Sequence, residues 1–81
     1  MNTEELLSRY ASGERNFAGV DLKNANLLGV NLSEANLSNS NLRRAELHGA
    51  NLTRANLRGV DLEGANLRYT ILDEANLSQA K

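Results

Sequence analysis

Apolar residues recur every five positions along most of this chain. Thirteen consecutive five-residue blocks between Arg15 and Gln79 have leucine, or once phenylalanine, at the centre. The residue two positions before the centre is small or β-branched in twelve of the thirteen blocks, and the residue just before it is Asn or Asp in eleven. The central residues, which we predict to form the core, are Phe17, Leu22, Leu27, Leu32, Leu37, Leu42, Leu47, Leu52, Leu57, Leu62, Leu67, Leu72 and Leu77.

A period of five fits neither regular secondary structure. Five residues advance an α-helix by a net angle of about 140°, which spreads the leucines around it, and in a strand every fifth residue alternates between faces. A solenoid places the central leucines on its inside if three residues of each block are extended and the other two turn a corner of about 90°. Four blocks then close a square coil. Residues 15–81 are therefore predicted to form an all-β solenoid, a parallel β-helix of about three coils of about 20 residues.

The N-terminal residues lack this repeat and are predicted to form a short helical cap. Asn2 suits the N-cap position, and an apolar stripe that begins at Leu6 follows helical spacing over residues 3–12. Terminal repeats of a solenoid need capping, so we expect this stripe to cover the first coil. The predicted organisation is a capping helix in residues 1–14 followed by the β-helix in residues 15–81.

Residues twenty positions apart should stack on neighbouring coils about 4.8 Å apart. Along one corner, Glu34, Arg54 and Glu74 then alternate in charge and should form ion pairs. Five of the six glycines lie at the second turn position of a block, where a type II turn requires positive φ. The corner with Glu34, Arg54 and Glu74 has neither Gly nor Asn there, so we predict a different turn type along it.

The composition leaves few groups for catalysis. There is no Cys, and the single histidine, His48, lies at an outward turn position with no acid held beside it by local spacing. We therefore predict that the protein is not an enzyme and has no metal site or cofactor. No apolar run reaches the length of a membrane span, and no apolar signal segment is found near the N-terminus, so a cytoplasmic protein without membrane contact is expected.

Most blocks read Ala-Asn-Leu or Val-Asp-Leu followed by two variable residues, and this run resembles the pentapeptide-repeat proteins. The resemblance implies a right-handed quadrilateral β-helix with four blocks per coil. Residues 4–22, with the sequence EELLSRYASGERNFAGVDL, also resemble the start of cyanobacterial members. The fold implied is specific, whereas the function is not, because one fold hosts unrelated roles.

The resemblance also implies an alternative function, a DNA-mimic modulator of DNA gyrase or a related topoisomerase. Such mimicry needs a strongly acidic rod, with about nine negative charges over a solenoid of roughly 16 Å. The stretch from Arg15 to Lys81 instead has eight basic and seven acidic residues, a net charge of +1. Charge therefore argues against mimicry. Scattered arginines without an aromatic platform also argue against direct nucleic-acid binding.

The segment RYTILDE departs most from the repeat. Tyr69 stands in the column of Gly29 and Gly49, and Ile71 replaces the usual Asn or Asp. With three outward neighbours these two residues should form a small apolar cluster at one corner, which we predict to bind a protein partner. The open alternative is that Tyr69 packs flat over the two glycine turns. The candidate residues, called the corner patch below, are Leu28, His48, Arg68, Tyr69 and Ile71.

We accordingly predict a non-enzymatic binding or scaffolding module for a protein partner. The last coil, which ends the repeat at Leu77, has no predicted cap and would expose leucines and strand edges. Either two molecules meet there, or the chain is a piece of a longer protein. We expect a homodimer with twofold symmetry through this uncapped C-terminal coil.

Overall fold

The computed structural model describes residues 1–81, and its one helix, α1, spans Thr3–Ala11. The side chain of Asn2 accepts a hydrogen bond from the Glu5 N–H at 2.7 Å, which confirms the predicted N-cap. The helix ends before Gly13, whose φ of 103° is readily adopted only by glycine. Residues 3–12 were expected to be helical, so the helix ends one residue early. It is too short and too polar to span a membrane.

From Asn16 onward the chain winds into a four-sided solenoid made of single parallel bridges. Nine isolated bridges join residues 20 positions apart, from the pair Asn16 and Asn36 to the pair Asn56 and Asn76. No strand is longer, because a corner follows every short extended stretch. Hydrogen bonds between coils flank each bridge, as from the Leu22 N–H to the Asn41 carbonyl at 2.8 Å. This pairing confirms the predicted stacking of residues twenty apart.

All thirteen corners of the solenoid have the same backbone form. At each, the leucine or phenylalanine carbonyl accepts a hydrogen bond from the N–H three residues later, at 2.9–3.4 Å. The second turn residue always has positive φ, between 57° and 75°. The prediction of a different turn at Glu34, Arg54 and Glu74 is therefore wrong, since their φ values are 65°, 57° and 59°. The closing bond and the bonds between coils impose one geometry, which overrides the preference of these side chains.

The core fills the inside of the solenoid. Nine of the thirteen predicted central residues, from Phe17 to Leu57, are at most 2% exposed. Small residues such as Ala35 and Ala50 are also buried and fill the space between them. Ser40 is the one buried polar residue, and its hydroxyl donates to the Leu37 carbonyl at 2.5 Å.

The other four predicted core residues, which belong to the last coil, are not fully buried. Leu62 and Leu72 are partly buried, while Leu67 and Leu77 are 36% and 38% exposed. Leu62 and Leu72 still pack against the core, whereas Leu67 and Leu77 depart from the predicted core and instead confirm the prediction that the uncapped last coil exposes leucines. A leucine in this fold is covered by the coils on both sides, and no coil covers the last one.

Helix α1 packs on the open side of the first coil. Leu6 is completely buried in the same apolar cluster as the solenoid core, and Leu7 is partly buried against it. The Tyr10 hydroxyl donates to the Ser33 carbonyl at 2.8 Å, and the Arg15 guanidinium lies 3.6 Å from the centre of the Tyr10 ring. The helix therefore supplies apolar contacts and a hydrogen bond to an otherwise unpaired edge.

Candidate protein-interaction surface

The corner patch lies where the third corner of each coil meets the following face. Leu28, His48 and Arg68 follow one another along the first turn position of this corner, twenty residues apart. Tyr69 occupies the second turn position, and its ring centre is 5.3 Å from that of His48, with the planes tilted by 59°. Such a tilted aromatic pair is a favourable arrangement. The structure thus brings His48 and Tyr69 into contact.

The apolar members of the patch are open to solvent. The exposed fractions are 58% for Leu28, 80% for Tyr69 and 44% for Ile71. Tyr69 and Ile71 lie in the last coil, as do the remaining large exposed apolar side chains, Leu67 and Leu77. Isolated apolar residues on a surface are ordinary, but a cluster with an aromatic ring is typical of a binding surface.

Tyr69 does not lie flat over the glycine turns. A Cβ added at Gly29 would meet no atom within 4 Å, and one added at Gly49 would meet only the Gly29 Cα at 4.0 Å. The Tyr69 ring therefore leaves both glycine corners uncovered, and the alternative that it simply packs over them is wrong. Gly29 and Gly49 are both exposed and precede Tyr69 in its column, and this open stretch of backbone is called the glycine step below.

Tyr69 also adopts a backbone conformation that is unfavourable for it. Its φ is 60°, in the left-handed region, which costs most residues other than glycine about 1–2 kcal/mol. The two preceding positions of its column are Gly29 and Gly49, which adopt this conformation without that cost. Seven other non-glycine residues share positive φ in this solenoid, but Tyr69 is the only aromatic residue among them.

Ile71 removes a hydrogen bond that every other block makes. In twelve of the thirteen blocks, the residue before the central apolar residue accepts a hydrogen bond from the N–H two residues later, at 3.0–3.2 Å. Isoleucine has no acceptor, so the Asp73 N–H lacks this partner. A hydrogen bond of this kind contributes about 0.5–1.5 kcal/mol. Two neighbouring positions of the patch therefore both depart from the residues that would stabilise the fold.

The positive charge of Arg68, the basic residue of the corner patch, is not paired with an acid. Arg68 takes part in none of the ion pairs, all of which involve Arg9, Arg43 or Arg54. One acid close to the corner patch along the chain is Glu46, which lies two residues before His48. Its carboxylate accepts a hydrogen bond from the His48 N–H at 3.0 Å.

Elsewhere on the surface, acidic and basic side chains stabilise one another across coils. Arg54 lies 3.4 Å from Glu34 and 3.3 Å from Glu74, which confirms the predicted alternating pairs. Arg43 contacts Asp61 at 3.1 Å, and its hydrogen bond to that carboxylate is the main cause of its raised pKa. The pKa of Asp61 is lowered, first because the Glu63 N–H donates to it and then by Arg43.

The shape of the surface bears on the kind of partner it could bind. It contains no enclosed pocket and no group of three or more His, Cys, Asp or Glu side chains placed to hold a metal ion. Small-molecule sites are concave and enclose their ligand, whereas the corner patch is convex and open. Its form suits a macromolecule better than a small ligand.

Comparison with known proteins identifies the repeat. The family described as "Pentapeptide repeats (8 copies)" matches residues 16–54 and 45–81. The crystal structure of HetL, a pentapeptide repeat protein involved in heterocyst differentiation regulation from the cyanobacterium Nostoc sp. strain PCC 7120, aligns over 99% of this chain. The alignment has a TM-score of 0.97 and 39% sequence identity, and it covers 34% of HetL.

Two further solved structures are similar to the chain. AT2G44920, a pentapeptide repeat protein from the Arabidopsis thaliana thylakoid lumen, aligns over 82% of this chain and 46% of its own length, with a TM-score of 0.80 and 29% identity. The pentapeptide repeat protein alr5209 from Nostoc PCC 7120 aligns over 99% of this chain and 74% of its own length, with 36% identity and a TM-score of 0.47.

The chain thus spans about a third of HetL and about half of the Arabidopsis protein. No curated protein matches it significantly. Proteins with this repeat form right-handed quadrilateral β-helices, and the close superposition on HetL gives the four-sided solenoid described above the same form. The chain belongs to the pentapeptide repeat family.

Proposed function

We propose that this protein is a non-enzymatic binding module that holds a protein partner on the corner patch. The observation that carries the proposal is the pair of departures at Tyr69 and Ile71. One places an aromatic residue at positive φ, and the other removes a turn hydrogen bond, yet both expose apolar surface on the same corner. Positions that break a local rule without a gain for the fold are expected at functional sites.

A regulatory setting is consistent with this proposal. HetL is described as involved in the regulation of heterocyst differentiation, and it shares 39% of its residues with this chain over the aligned region. We propose a comparable role in the cytoplasm, in which the solenoid is a rigid scaffold and the corner patch selects the partner. Pentapeptide repeat proteins generally act as scaffolds, and a rigid surface binds with little loss of conformational entropy.

An affinity capture with matched variants tests the proposal. The wild-type chain, the double variant Tyr69→Gly/Ile71→Asn and the control variant Arg58→Asn are each immobilised and exposed to a cyanobacterial lysate. The double variant has the residues that the repeat uses at these positions, and Arg58 is an exposed residue of another corner. We expect a protein captured by the wild type and the control to be lost with the double variant. Equal capture by all three would contradict the proposal.

The alternative of a DNA-mimic gyrase modulator has weaker support. Acidic and basic side chains alternate on the solenoid, as in the clusters around Arg43 and Arg54, so no face resembles the continuous negative charge of DNA. A supercoiling assay with purified DNA gyrase tests this alternative. Inhibition at micromolar protein would favour it, and full supercoiling activity would exclude it.

We also propose that α1 caps the N-terminal end, so that residues 1–14 form the cap and residues 15–81 a β-helix of about three coils. The burial of Leu6 against the core and the hydrogen bond from Tyr10 to the first coil support this division. Replacing Leu6 with Asp should expose the first coil, and we expect faster amide hydrogen exchange there. Unchanged exchange would contradict the capping role.

Two copies of this 81-residue chain are proposed to associate through the last coil. Its Leu67 and Leu77 are about one third exposed and α1 covers the opposite end, which supports a closed pair through the C-terminal coils. Light scattering should then give twice the monomer mass of 8.8 kDa, and Leu67→Glu/Leu77→Glu should give the monomer. A monomeric wild type would contradict this association.

A further inference from the structure

The corner patch combines exposed apolar side chains with a cationic group that has no partner in the structure. We infer that it recognises an acidic-hydrophobic protein segment, in which an apolar side chain is followed closely by a carboxylate. This inference rests on the proposed function, because it names the chemistry of the partner that the patch would bind.

The apolar half of such a segment would contact Tyr69 and Leu28. These two side chains are the most exposed apolar groups of the molecule, and the open glycine step lies beside the Tyr69 ring. No side chain rises from Gly29 or Gly49, so a partner can approach the backbone closely at this step. A flat aromatic ring beside a shallow step suits an aliphatic or aromatic side chain on an extended or helical segment.

The charged half would contact Arg68. Its guanidinium is exposed and makes no ion pair, whereas the guanidinium groups of Arg43 and Arg54 each contact two carboxylates. An arginine that already has carboxylate partners gains little from another, but Arg68 can form a bidentate pair with an incoming carboxylate. His48, which precedes Arg68 in the same column, contributes no negative charge.

Two acids lie near the patch along the chain. Glu46, whose carboxylate accepts from the His48 N–H, and Asp73, at the next corner along the chain, both keep their negative charge, so recognition relies on direct contact with Arg68 and not on the net charge of the surface. Single-stranded nucleic acid is a less suitable partner, because the patch has one exposed aromatic ring and one free arginine. Such binding normally uses several stacking rings along a basic groove.

The inference is tested by titrating the isotope-labelled 81-residue chain with defined probes and following amide resonances by NMR. The probes are a blocked peptide Glu-Leu-Glu-Phe-Glu, its counterpart Lys-Leu-Lys-Phe-Lys, and a thymidine oligonucleotide. We expect the acidic peptide to shift the resonances of the corner patch and to bind more weakly at about 0.3 M salt, where charges are screened within a few ångströms. Preference for the basic peptide, preference for the oligonucleotide, or no shift in the patch would each overturn the inference.

Matched charge reversals identify the residue responsible. Arg68→Glu should weaken binding of the acidic peptide about fivefold, the upper range for one exposed ion pair. Arg58→Glu, which makes the same change on another corner, should leave the affinity within about twofold. Equal effects of the two substitutions would show that only net charge matters and would refute the role of Arg68.

The same variants separate this inference from the proposed function. A lysate partner that is lost with Tyr69→Gly/Ile71→Asn but still binds Arg68→Glu at full affinity would support the binding module and refute acidic recognition. Loss with both variants, together with selective binding of the acidic peptide, would support both. Retention with both would refute both.

Discussion

Restoring the repeat at the corner patch should remove the binding surface without destabilising the fold by more than about 1 kcal/mol. The change is the double substitution Tyr69→Gly/Ile71→Asn. Glycine removes an unfavourable left-handed conformation worth about 1–2 kcal/mol, but it adds about 0.4–1 kcal/mol of chain entropy to the unfolded state. The resulting gain of about 0.5–1 kcal/mol is offset by the loss of the tilted ring contact with His48, which contributes about 0.5–1.5 kcal/mol.

The second substitution has two opposing effects. Asparagine can accept the hydrogen bond from the Asp73 N–H that twelve other blocks make, which contributes about 0.5–1.5 kcal/mol. Loss of the Ile71 side chain, which is 44% exposed, removes about 1 kcal/mol of apolar burial. The two terms are of similar size, as are the opposing terms at Tyr69, so the double variant should match the wild type in stability to within about 1 kcal/mol.

Urea unfolding followed by circular dichroism measures this difference, with the midpoint and slope compared between the two proteins. A difference of this size corresponds to a shift in melting temperature of at most about 4–8 °C for a chain of this length. A loss of more than about 1 kcal/mol would refute the reasoning, because it would mean that Tyr69 and Ile71 contribute to packing. The single variant Tyr69→Gly separates the backbone contribution from the hydrogen bond.

Three further predictions concern the solenoid itself. Leu47→Ala should lower the free energy of unfolding by about 2–5 kcal/mol. Leu77→Ala should have less than half that effect, because the Leu77 side chain is partly exposed, and urea unfolding compares the two variants. Ser40→Val should raise stability by about 1 kcal/mol, since its neighbours in the same column are Val20 and Val60, and a lower melting temperature would contradict this. The lowered pKa of Asp61 means that it stabilises the fold above its ordinary pKa, and that this contribution is lost as pH falls through the lowered value. Asp61→Asn should therefore flatten the pH dependence of unfolding below about pH 4.

The fold could be predicted from the sequence because one physical requirement repeats thirteen times. A leucine every five residues can reach a common interior only in a four-cornered coil, and the Asn or Asp beside it can accept the N–H of the turn. The nine parallel bridges, twenty residues apart, agree with that requirement. The helix ends within one residue of its predicted limit. Asn2 caps its first turn, and Gly13 adopts the positive φ that stops it.

The errors arose where neighbouring coils decide the outcome. Leu67 was counted with the core although the last coil was expected to expose leucines, and only Leu47, which has a coil on both sides, is completely buried. Residue preferences at Glu34 favoured another turn, but the bonds between coils impose positive φ there as well. A local pattern carries no information about the second effect.

The sequence identified the residues of the candidate site, because they depart from the repeat, but it did not predict how their side chains are arranged. Tyr69 and Ile71 are visible as the residues that break their columns. The contact between the Tyr69 and His48 rings and the open glycine step depend on side-chain rotamers, which the spacing of residues does not specify. The missing turn hydrogen bond at Asp73 could have been inferred from the sequence, because Ile71 has no acceptor where the repeat otherwise has one.

The most direct test of the binding role is the affinity of a captured partner for three purified chains, measured by isothermal titration calorimetry. They are the wild type, Tyr69→Gly/Ile71→Asn and the control Arg58→Asn. Loss of two apolar contacts at the centre of an interface costs about 2 kcal/mol or more, so the double variant should bind at least about thirtyfold more weakly while the control is unchanged. Equal affinity of the wild type and the double variant, with both proteins folded, would contradict the assignment of the corner patch as the binding surface.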